Sequence, residues 1–176
     1  MPPDARRTLA YVIASDPFAV PGAEWSRVSP RLGALRRVLL GVVTAAMLLT
    51  AVVLAVLVPG LRTATVVTAV VLLAAAAVGW ALIPRSVAAW GWVERDEDLI
   101  VTRGRLWRRL DVVPYGRMQL VDVTSGPLQR AFGITTVRLH TASPSSRAHL
   151  PGLPPADAHR LREQLTERGE AQAAGL

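Results

Sequence analysis

Two uncharged apolar stretches determine the architecture of this chain: VLLGVVTAAMLLTAVVLAVLV at residues 38–58 and TATVVTAVVLLAAAAVGWALI at residues 63–83. An α-helix rises about 1.5 Å per residue, so each stretch is long enough to cross the roughly 30 Å hydrocarbon core of a bilayer. Pro59 and Gly60 between them are typical of a tight turn. The sequence therefore predicts a transmembrane hairpin over residues 38–83.

The alternative is one or two buried helices of a soluble protein, and the polar side chains of the two stretches argue against it. A helix of a soluble protein usually carries a polar face, whereas these stretches contain scattered threonines, whose hydroxyls can bond back to their own helix. Small residues four apart, Ala51 with Ala55 and Ala75 with Gly79, allow close helix packing. This packing can join the two helices to each other or to a second copy of the chain, so a homo-oligomer fits the pattern.

The positions of the arginines predict the side of the membrane on which each part lies. The chain has 20 basic residues, all of them arginine, and 13 acidic residues, for a net charge of +7. The arginines that flank the outer ends of the hairpin are Arg27, Arg31, Arg36, Arg37, Arg85 and Arg95. The connecting turn has only Arg62. Because positively charged flanks remain in the cytoplasm, we expect a multi-pass protein of the plasma (inner) membrane with both termini cytoplasmic.

Outside the hairpin, a single segment is long enough to fold by itself. Residues 1–24 contain several prolines and no sustained periodicity, so we expect a flexible N-terminal tail. Residues 25–37 are expected to be a basic juxtamembrane segment. Residues 84–168 are long enough for a compact domain, and residues 169–176 are expected to be a C-terminal tail. The absence of cysteine excludes a disulfide framework and a thiolate metal site.

Residues 84–168 predict a mainly-β domain closed by one amphipathic helix. β-branched and aromatic residues occur in short runs, which are separated by Gly, Pro and Asp turns. The predicted strands are Val87–Glu94, Leu99–Thr102, Arg105–Val113, Met118–Thr124, Ile134–Thr141 and Ala148–Leu150. Ala158, Leu161 and Leu165 then repeat at helical spacing over residues 154–168. This order predicts a small barrel or sandwich with the helix over one open end.

A set of short motifs runs through the predicted β domain. The motifs are L-x-V-x-x-G-x-L at Leu99–Leu106, V-P-x-x-R-x-Q at Val113–Gln119, G-P-L at Gly126–Leu128, F-G at Phe132–Gly133 and T-V-x-L-x-T at Thr136–Thr141. With the preceding hairpin, this set resembles the bacterial pleckstrin-homology (PH) domain membrane proteins of the YdbS-like type, over roughly residues 25–168. The resemblance implies two near-orthogonal antiparallel sheets with a C-terminal helix, and it implies no enzyme activity.

Clustered arginines are the candidate binding residues. They are Arg31, Arg36 and Arg37 beside the hairpin and Arg103, Arg105, Arg108 and Arg109 in the β domain. Each arginine near an anionic membrane surface contributes about 1 kcal/mol of attraction. The alternatives are an ordinary positively charged flank for the first group and, for the second, a solvated strand edge that discourages edge-to-edge pairing.

No group of residues in the sequence predicts catalysis or a bound metal. His140, His149 and His159 lack the close spacing of metal ligands, and Ser125 lies in no nucleophile-elbow motif. The β domain is nearly balanced in charge, unlike the basic surface of a nucleic-acid-binding domain. We therefore expect a protein without catalytic activity, metal, cofactor or nucleic-acid partner.

Two functions fit these observations. The first is a cytoplasmic PH-like scaffold that the hairpin anchors to the lipid bilayer and that binds another protein. The second is recognition of anionic lipid by the arginine-rich surfaces. Because salt screens charge–charge attraction, salt-sensitive binding to anionic vesicles separates the second function from the first.

Overall fold

Two long apolar helices make up much of the N-terminal half of the molecule. The computed structural model describes residues 24–105, 107–141 and 148–173. Helix α1 (Arg31–Leu57) is joined by a 3-10 turn (Pro59–Leu61) to helix α2 (Arg62–Ala88). The most apolar part of each helix is not buried within the protein, and Leu57 is 72% exposed. The expected pair of exposed apolar helices of membrane-spanning length is confirmed.

The two helices pack directly on each other through small residues. A Cβ atom placed on Gly79 of α2 would lie 3.2 Å from a methyl carbon of Leu40 of α1. At the base of the hairpin, Gly33 faces Ile83 and Val87 in the same way, at 3.8 Å. Side chains of one helix therefore pack against the glycines of the other, where no Cβ atom intervenes.

Helix α2 is longer than the sequence predicts. The apolar stretch was expected to end at Ile83, before Pro84, and a strand was expected from Val87. The structure keeps Pro84 inside the helix and begins the strand at Gly91. Val87 is buried in the main hydrophobic core. Burial of Val87 favours continuation of the helix past Pro84, although the proline lacks a backbone N–H and so removes one helical hydrogen bond.

The rest of the described chain forms two antiparallel sheets, two further α-helices and a 3-10 turn. The first sheet has the order β1 (Ser26–Arg27), β2 (Gly91–Glu94), β3 (Asp98–Arg103) and β4 (Arg109–Pro114). The second sheet has the order β5 (Met118–Thr124), β6 (Thr135–Thr141) and β7 (Ala148–Leu153). The 3-10 turn (Tyr115–Arg117) lies between β4 and β5, short helix α3 (Pro127–Ala131) connects β5 to β6, and helix α4 (Pro155–Ala173) follows β7.

One hydrophobic core joins the two sheets and α4. The first sheet contributes Leu99, Val101 and Val113, the second contributes Val137, Leu139 and Leu150, and α4 contributes Ala158, Leu161 and Leu165. The three α4 residues are those that the helical spacing singled out. The expected mainly-β sandwich with a C-terminal amphipathic helix is confirmed.

Residues that precede the hairpin are part of the β domain. Strand β1 pairs antiparallel with β2, with Arg27 opposite Gly91. Val28, Leu32 and Leu35 all lie in the main core. The hairpin is therefore inserted between β1 and β2, and residues 25–37, expected to be a juxtamembrane segment, contribute to the β domain.

Helix α4 is fixed to the sheets by polar contacts as well as by the core. The buried Tyr115 hydroxyl donates to the Arg95 carbonyl oxygen (2.9 Å) and accepts from Arg168 Nη1 (3.1 Å). Burial raises the pKa of Tyr115. The Gly116 amide donates to Gln172 Oε1 (2.8 Å), and the helix continues to Ala173, into the segment expected as a tail. Residues 1–23 of the expected N-terminal tail, and residues 174–176, lie outside the described residues.

Candidate functional site

The basic run of the β domain extends from the last residue of β3 (Arg103) through the β3–β4 loop to the first residue of β4 (Arg109). The sequence predicted a strand from Arg105, but β4 begins at Arg109. Gly104 has a φ of +84°, and a Cβ atom there would collide with the Trp107 carbonyl oxygen. Only glycine fits this left-handed turn without strain. The turn ends β3 and places Trp107 on the surface, where its side chain is 82% exposed.

Two neighbouring clefts lie where this loop meets the C-terminal end of α2. The first has a volume of about 410 Å³, and its lining includes Arg27, Arg85, Trp90, Arg105 and Arg108. The second has a volume of about 550 Å³, and its lining includes Leu82, Arg85, Arg103, Trp107 and Arg109. The described residues that line the two clefts include no acidic side chain. We call the arginines of the two linings the basic face: Arg27, Arg85, Arg103, Arg105, Arg108 and Arg109.

Several members of the basic face are held in place by the fold. Arg27 Nη1 donates to the Ala88 carbonyl oxygen (2.6 Å), and Arg85 Nη1 donates to the Ala81 carbonyl oxygen (2.9 Å). Arg103 forms an ion pair with Asp111 (3.3 Å). A guanidinium has five N–H donors, so each of these groups keeps donors for an anion while one contact orients it.

A half-buried histidine lies beside the basic face. The rings of His149 and Trp90 are in edge contact, with centroids 5.1 Å apart. Burial lowers the pKa of His149, and the positive charge of Arg103 lowers it further. The lowered pKa favours the neutral imidazole, so His149 does not add to the positive charge of this surface at neutral pH.

The three juxtamembrane arginines predicted as binding residues are engaged separately. The guanidinium of Arg31 lies against Gly133, with Nη1 2.9 Å from the position of a Cβ atom there. Arg36 donates to Ser86 Oγ (3.2 Å), and the Arg37 guanidinium lies 5.3 Å from the centre of the Trp80 ring. None of the three is among the lining residues of the two clefts of the basic face. The structure thus brings the second predicted group together and does not add the first.

Sequence reasoning missed two arginines and one aromatic residue of the site. In the sequence, Arg27 and Arg85 are used only to predict membrane orientation, and Trp107 is not among the candidate binding residues. The signal for Trp107 was present, because arginines flank it closely on both sides. Arg27 and Arg85 are far apart in sequence and meet only because β1 pairs with β2 after the hairpin returns.

Acidic residues lie at the other end of the first sheet. The turn between β2 and β3 and its ends contain Glu94, Arg95, Asp96, Glu97 and Asp98. Strand β2 starts close to the end of α2 and runs toward this turn. The domain therefore has a basic end beside the hairpin and an acidic end away from it.

The domain has the architecture of a PH-like module. Two packed antiparallel sheets are closed by a C-terminal helix, and one end of the first sheet carries a basic surface suited to binding. The family model for the bacterial PH domain matches residues 35–169, and the chain belongs to this family. Membership indicates a protein- or lipid-interaction module. Comparisons with curated proteins and with solved structures found no match.

Proposed function

We propose that this protein is a membrane-anchored PH-like module whose basic face binds the phosphate groups of anionic lipid headgroups. One observation carries the proposal: the second cleft is lined both by Leu82, near the end of the predicted span 63–83, and by arginines in and next to the β3–β4 loop. If α2 crosses a bilayer, this cleft lies at the depth of the lipid phosphates.

The anchoring part of the proposal rests on the hairpin. Both helices are long, uncharged over their central parts and exposed, and a soluble protein rarely leaves so much contiguous apolar surface uncovered. The arginine flanks favour a cytoplasmic position for both termini and the β domain, at the inner membrane. The sequence motifs favour the YdbS-like type.

The composition of the basic face favours lipid over the protein scaffold that the sequence placed first. Arginine forms charge-assisted, often bidentate hydrogen bonds to phosphate. Tryptophan prefers the interface between headgroups and acyl chains, and Trp107 is exposed beside these arginines. The acidic turn at residues 94–98 would be repelled by an anionic surface, which favours the orientation with the basic end against the membrane.

Protein binding is a second candidate, carried by a different surface. Strand β5 is an edge of the second sheet, and Leu120 on it is 59% exposed. Leu128 on the following helix α3 is 51% exposed. An exposed strand edge with apolar side chains can accept a strand from a partner. A scaffold partner would bind here and leave the basic face free for lipid.

The fluorescence of Trp107 tests the lipid proposal in the full chain. The difference between the emission of the natural chain and that of a Trp107→Phe variant isolates this residue. In nanodiscs that contain phosphatidylglycerol, we expect the Trp107 emission at shorter wavelength than in pure phosphatidylcholine nanodiscs. The shift should vanish at high salt, because screening weakens the contact of the loop with the anionic surface.

Matched variants show whether the basic face causes the shift. Arg105→Gln/Arg109→Gln should abolish it, whereas Arg130→Gln/Arg160→Gln removes the same charge from positions outside both clefts and should preserve it. Equal emission in the two kinds of nanodisc, or equal loss in both double variants, would contradict the proposal.

A further inference from the structure

The outer side of the first sheet carries an unexpected apolar row. Alternation along β3 directs Leu99 and Val101 into the main core, so Ile100 between them points to the opposite side of the sheet. Its cross-strand neighbours are Val93 on β2 and Val112 on β4. Three large aliphatic residues thus form one row across the side of the sheet that faces away from the core.

This row is more buried than an open sheet surface. Val93 is 6% exposed and Ile100 is 3% exposed, although neither belongs to the main core, while Val112 is 44% exposed. The long helices pack on other elements: α4 on β5 and β6, and the base of α1 on β7. An antiparallel sheet with one face in water normally carries polar residues on that face. An apolar row there is instead typical of a sheet face on which another part of the protein packs.

Trp25 shows where such a cover begins. The register that places Ser26 opposite Trp92 sets Trp25 beside Val93, on the outer side. A Cβ atom on Gly91 would lie 3.2 Å from Cε3 of Trp25. The chain therefore already lies on this side of the sheet at the N-terminal end of the described residues.

We propose that the segment immediately before Glu24 docks on this row, with Val20 over Ile100 and Phe18 over Val112. Residues two apart in an extended chain face the same side, as Phe18 and Val20 do in the sequence DPFAVPG. Pro21 and Gly22 favour a turn, which redirects the chain from the line of β1 to a path across the strands.

The dimensions match this path. Neighbouring strands are about 4.8 Å apart, so Ile100 on β3 lies about 10 Å from the line of β1, and Val112 lies about 5 Å further. The residues between Val20 and Trp25 reach about 10 Å even with a turn among them, since an extended residue spans about 3.3 Å. Phe18 and Val20 are at most about 6.6 Å apart, enough to span the roughly 4.8 Å between neighbouring strands. The occupant is thus a segment of the chain itself, and its docking is independent of lipid binding.

A disulfide-trapping experiment on the full chain tests the contact. The natural sequence has no cysteine, so Phe18→Cys/Val112→Cys introduces a single pair. Mild oxidation should give an intramolecular disulfide, visible as a faster-migrating monomer. The matched pair Phe18→Cys/Leu120→Cys places the second thiol on an exposed leucine of edge strand β5 and should not close. Equal closure of both pairs, no closure of either, or crosslinked dimers from the first pair would overturn the proposal; dimers would indicate a second copy as the occupant.

Thiol accessibility gives a second, independent readout. A thiol covered by the docked segment reacts only when the segment detaches transiently. In an Ile100→Cys variant, removal of residues 1–22 should therefore raise the rate of maleimide labelling by about tenfold or more. Labelling of Leu120→Cys should not change with the same truncation. An Ile100→Cys rate that is unaffected by truncation would show that this residue is buried by its own sheet and would overturn the proposal.

Discussion

The protonation of His149 links the stability of the β domain to pH. Burial lowers its pKa below the ordinary value of 6.5. The charged groups that act on it are Arg103, Arg138 and Arg36, which lower the pKa further, and Asp111, which opposes them. In the folded protein the imidazole therefore releases its proton at a lower pH than in the unfolded chain.

The sign of the pH dependence follows from this difference. As pH falls below about 6.5, the unfolded chain takes up a proton on His149 before the folded protein does, so the free energy of unfolding falls. The loss continues down to the lowered folded pKa and is absent above about 6.5. In a His149→Gln variant this part of the pH dependence should disappear.

Thermal unfolding of the solubilised full chain between about pH 5 and pH 8 measures the effect. His159→Gln is the control, since His159 is exposed on α4, and its unfolding profile should follow that of the natural protein. A His149→Gln protein that loses stability in acid as steeply as the natural protein would contradict the assignment.

At the scale of secondary-structure elements, Gly152 couples the hairpin to the β domain. It has a φ of +76°, and a Cβ atom there would lie 2.8 Å from the Cβ of Leu32 in α1. The carbonyl oxygen of Gly152 also accepts from the Ser29 amide (2.9 Å). Gly152→Ala adds backbone strain to this steric conflict, and we expect it to lower the free energy of unfolding by about 2 kcal/mol or more.

Denaturant or thermal unfolding of the full chain measures this loss. Gly126→Ala is the matched control, because Gly126 has a φ of −72° and a Cβ atom there would meet nothing within 4 Å. Its stability should stay within about 0.5 kcal/mol of the natural protein. Equal effects of the two substitutions would argue against a tight contact between α1 and β7.

Helix packing in the hairpin gives a second prediction at this scale. Gly79→Leu would place a large side chain where even a Cβ lies 3.2 Å from Leu40, and we expect a loss of about 1–3 kcal/mol from overpacking. Gly41→Leu is the control, since nothing lies within 4 Å of a Cβ there. The stability of the two variants is compared by thermal aggregation in the same detergent. A Gly79→Leu protein as stable as the Gly41→Leu protein would rule out direct packing at this position.

The elements that could be predicted from the sequence are those with strong local signals. The apolar stretches 38–58 and 63–83 are distinctive because no charge interrupts them, and α4 is distinctive because its apolar residues repeat. Strand β1 has two residues and exists through pairing with β2, so no local pattern reveals it. The loop before Arg109 was taken for a strand because its alternation of residue types continues that of the neighbouring strand.

The candidate site could be predicted only in part, for the same reason. Arg103, Arg105, Arg108 and Arg109 are close in sequence, and their proximity is local. Their association with Arg27 and Arg85 depends on the return of the hairpin to the sheet, which is a long-range property. Local density of charge therefore identifies part of such a surface, and the topology determines the rest.

At the scale of the whole molecule, the hairpin is an insertion in the β domain and has two connections to it. The chain leaves the domain after β1 and Val28 and returns to it at β2. Leu32, Leu35 and Val87, at the two ends of the hairpin, are buried in the same core as the sheets. The domain is thus held in one orientation relative to the two helices, with the basic face beside Leu82 and the acidic turn at residues 94–98 away from it.

Binding of anionic headgroups by this fixed basic face can be measured by a calorimetric titration of the solubilised full chain. Short-chain phosphatidylglycerol should bind more tightly than short-chain phosphatidylcholine, and the difference should shrink as salt is raised. Two arginines at about 1 kcal/mol each predict about 30-fold weaker binding for Arg105→Gln/Arg109→Gln, with no comparable loss for Arg130→Gln/Arg160→Gln. Equal affinity for the two lipids, or an unchanged affinity in Arg105→Gln/Arg109→Gln, would contradict the account.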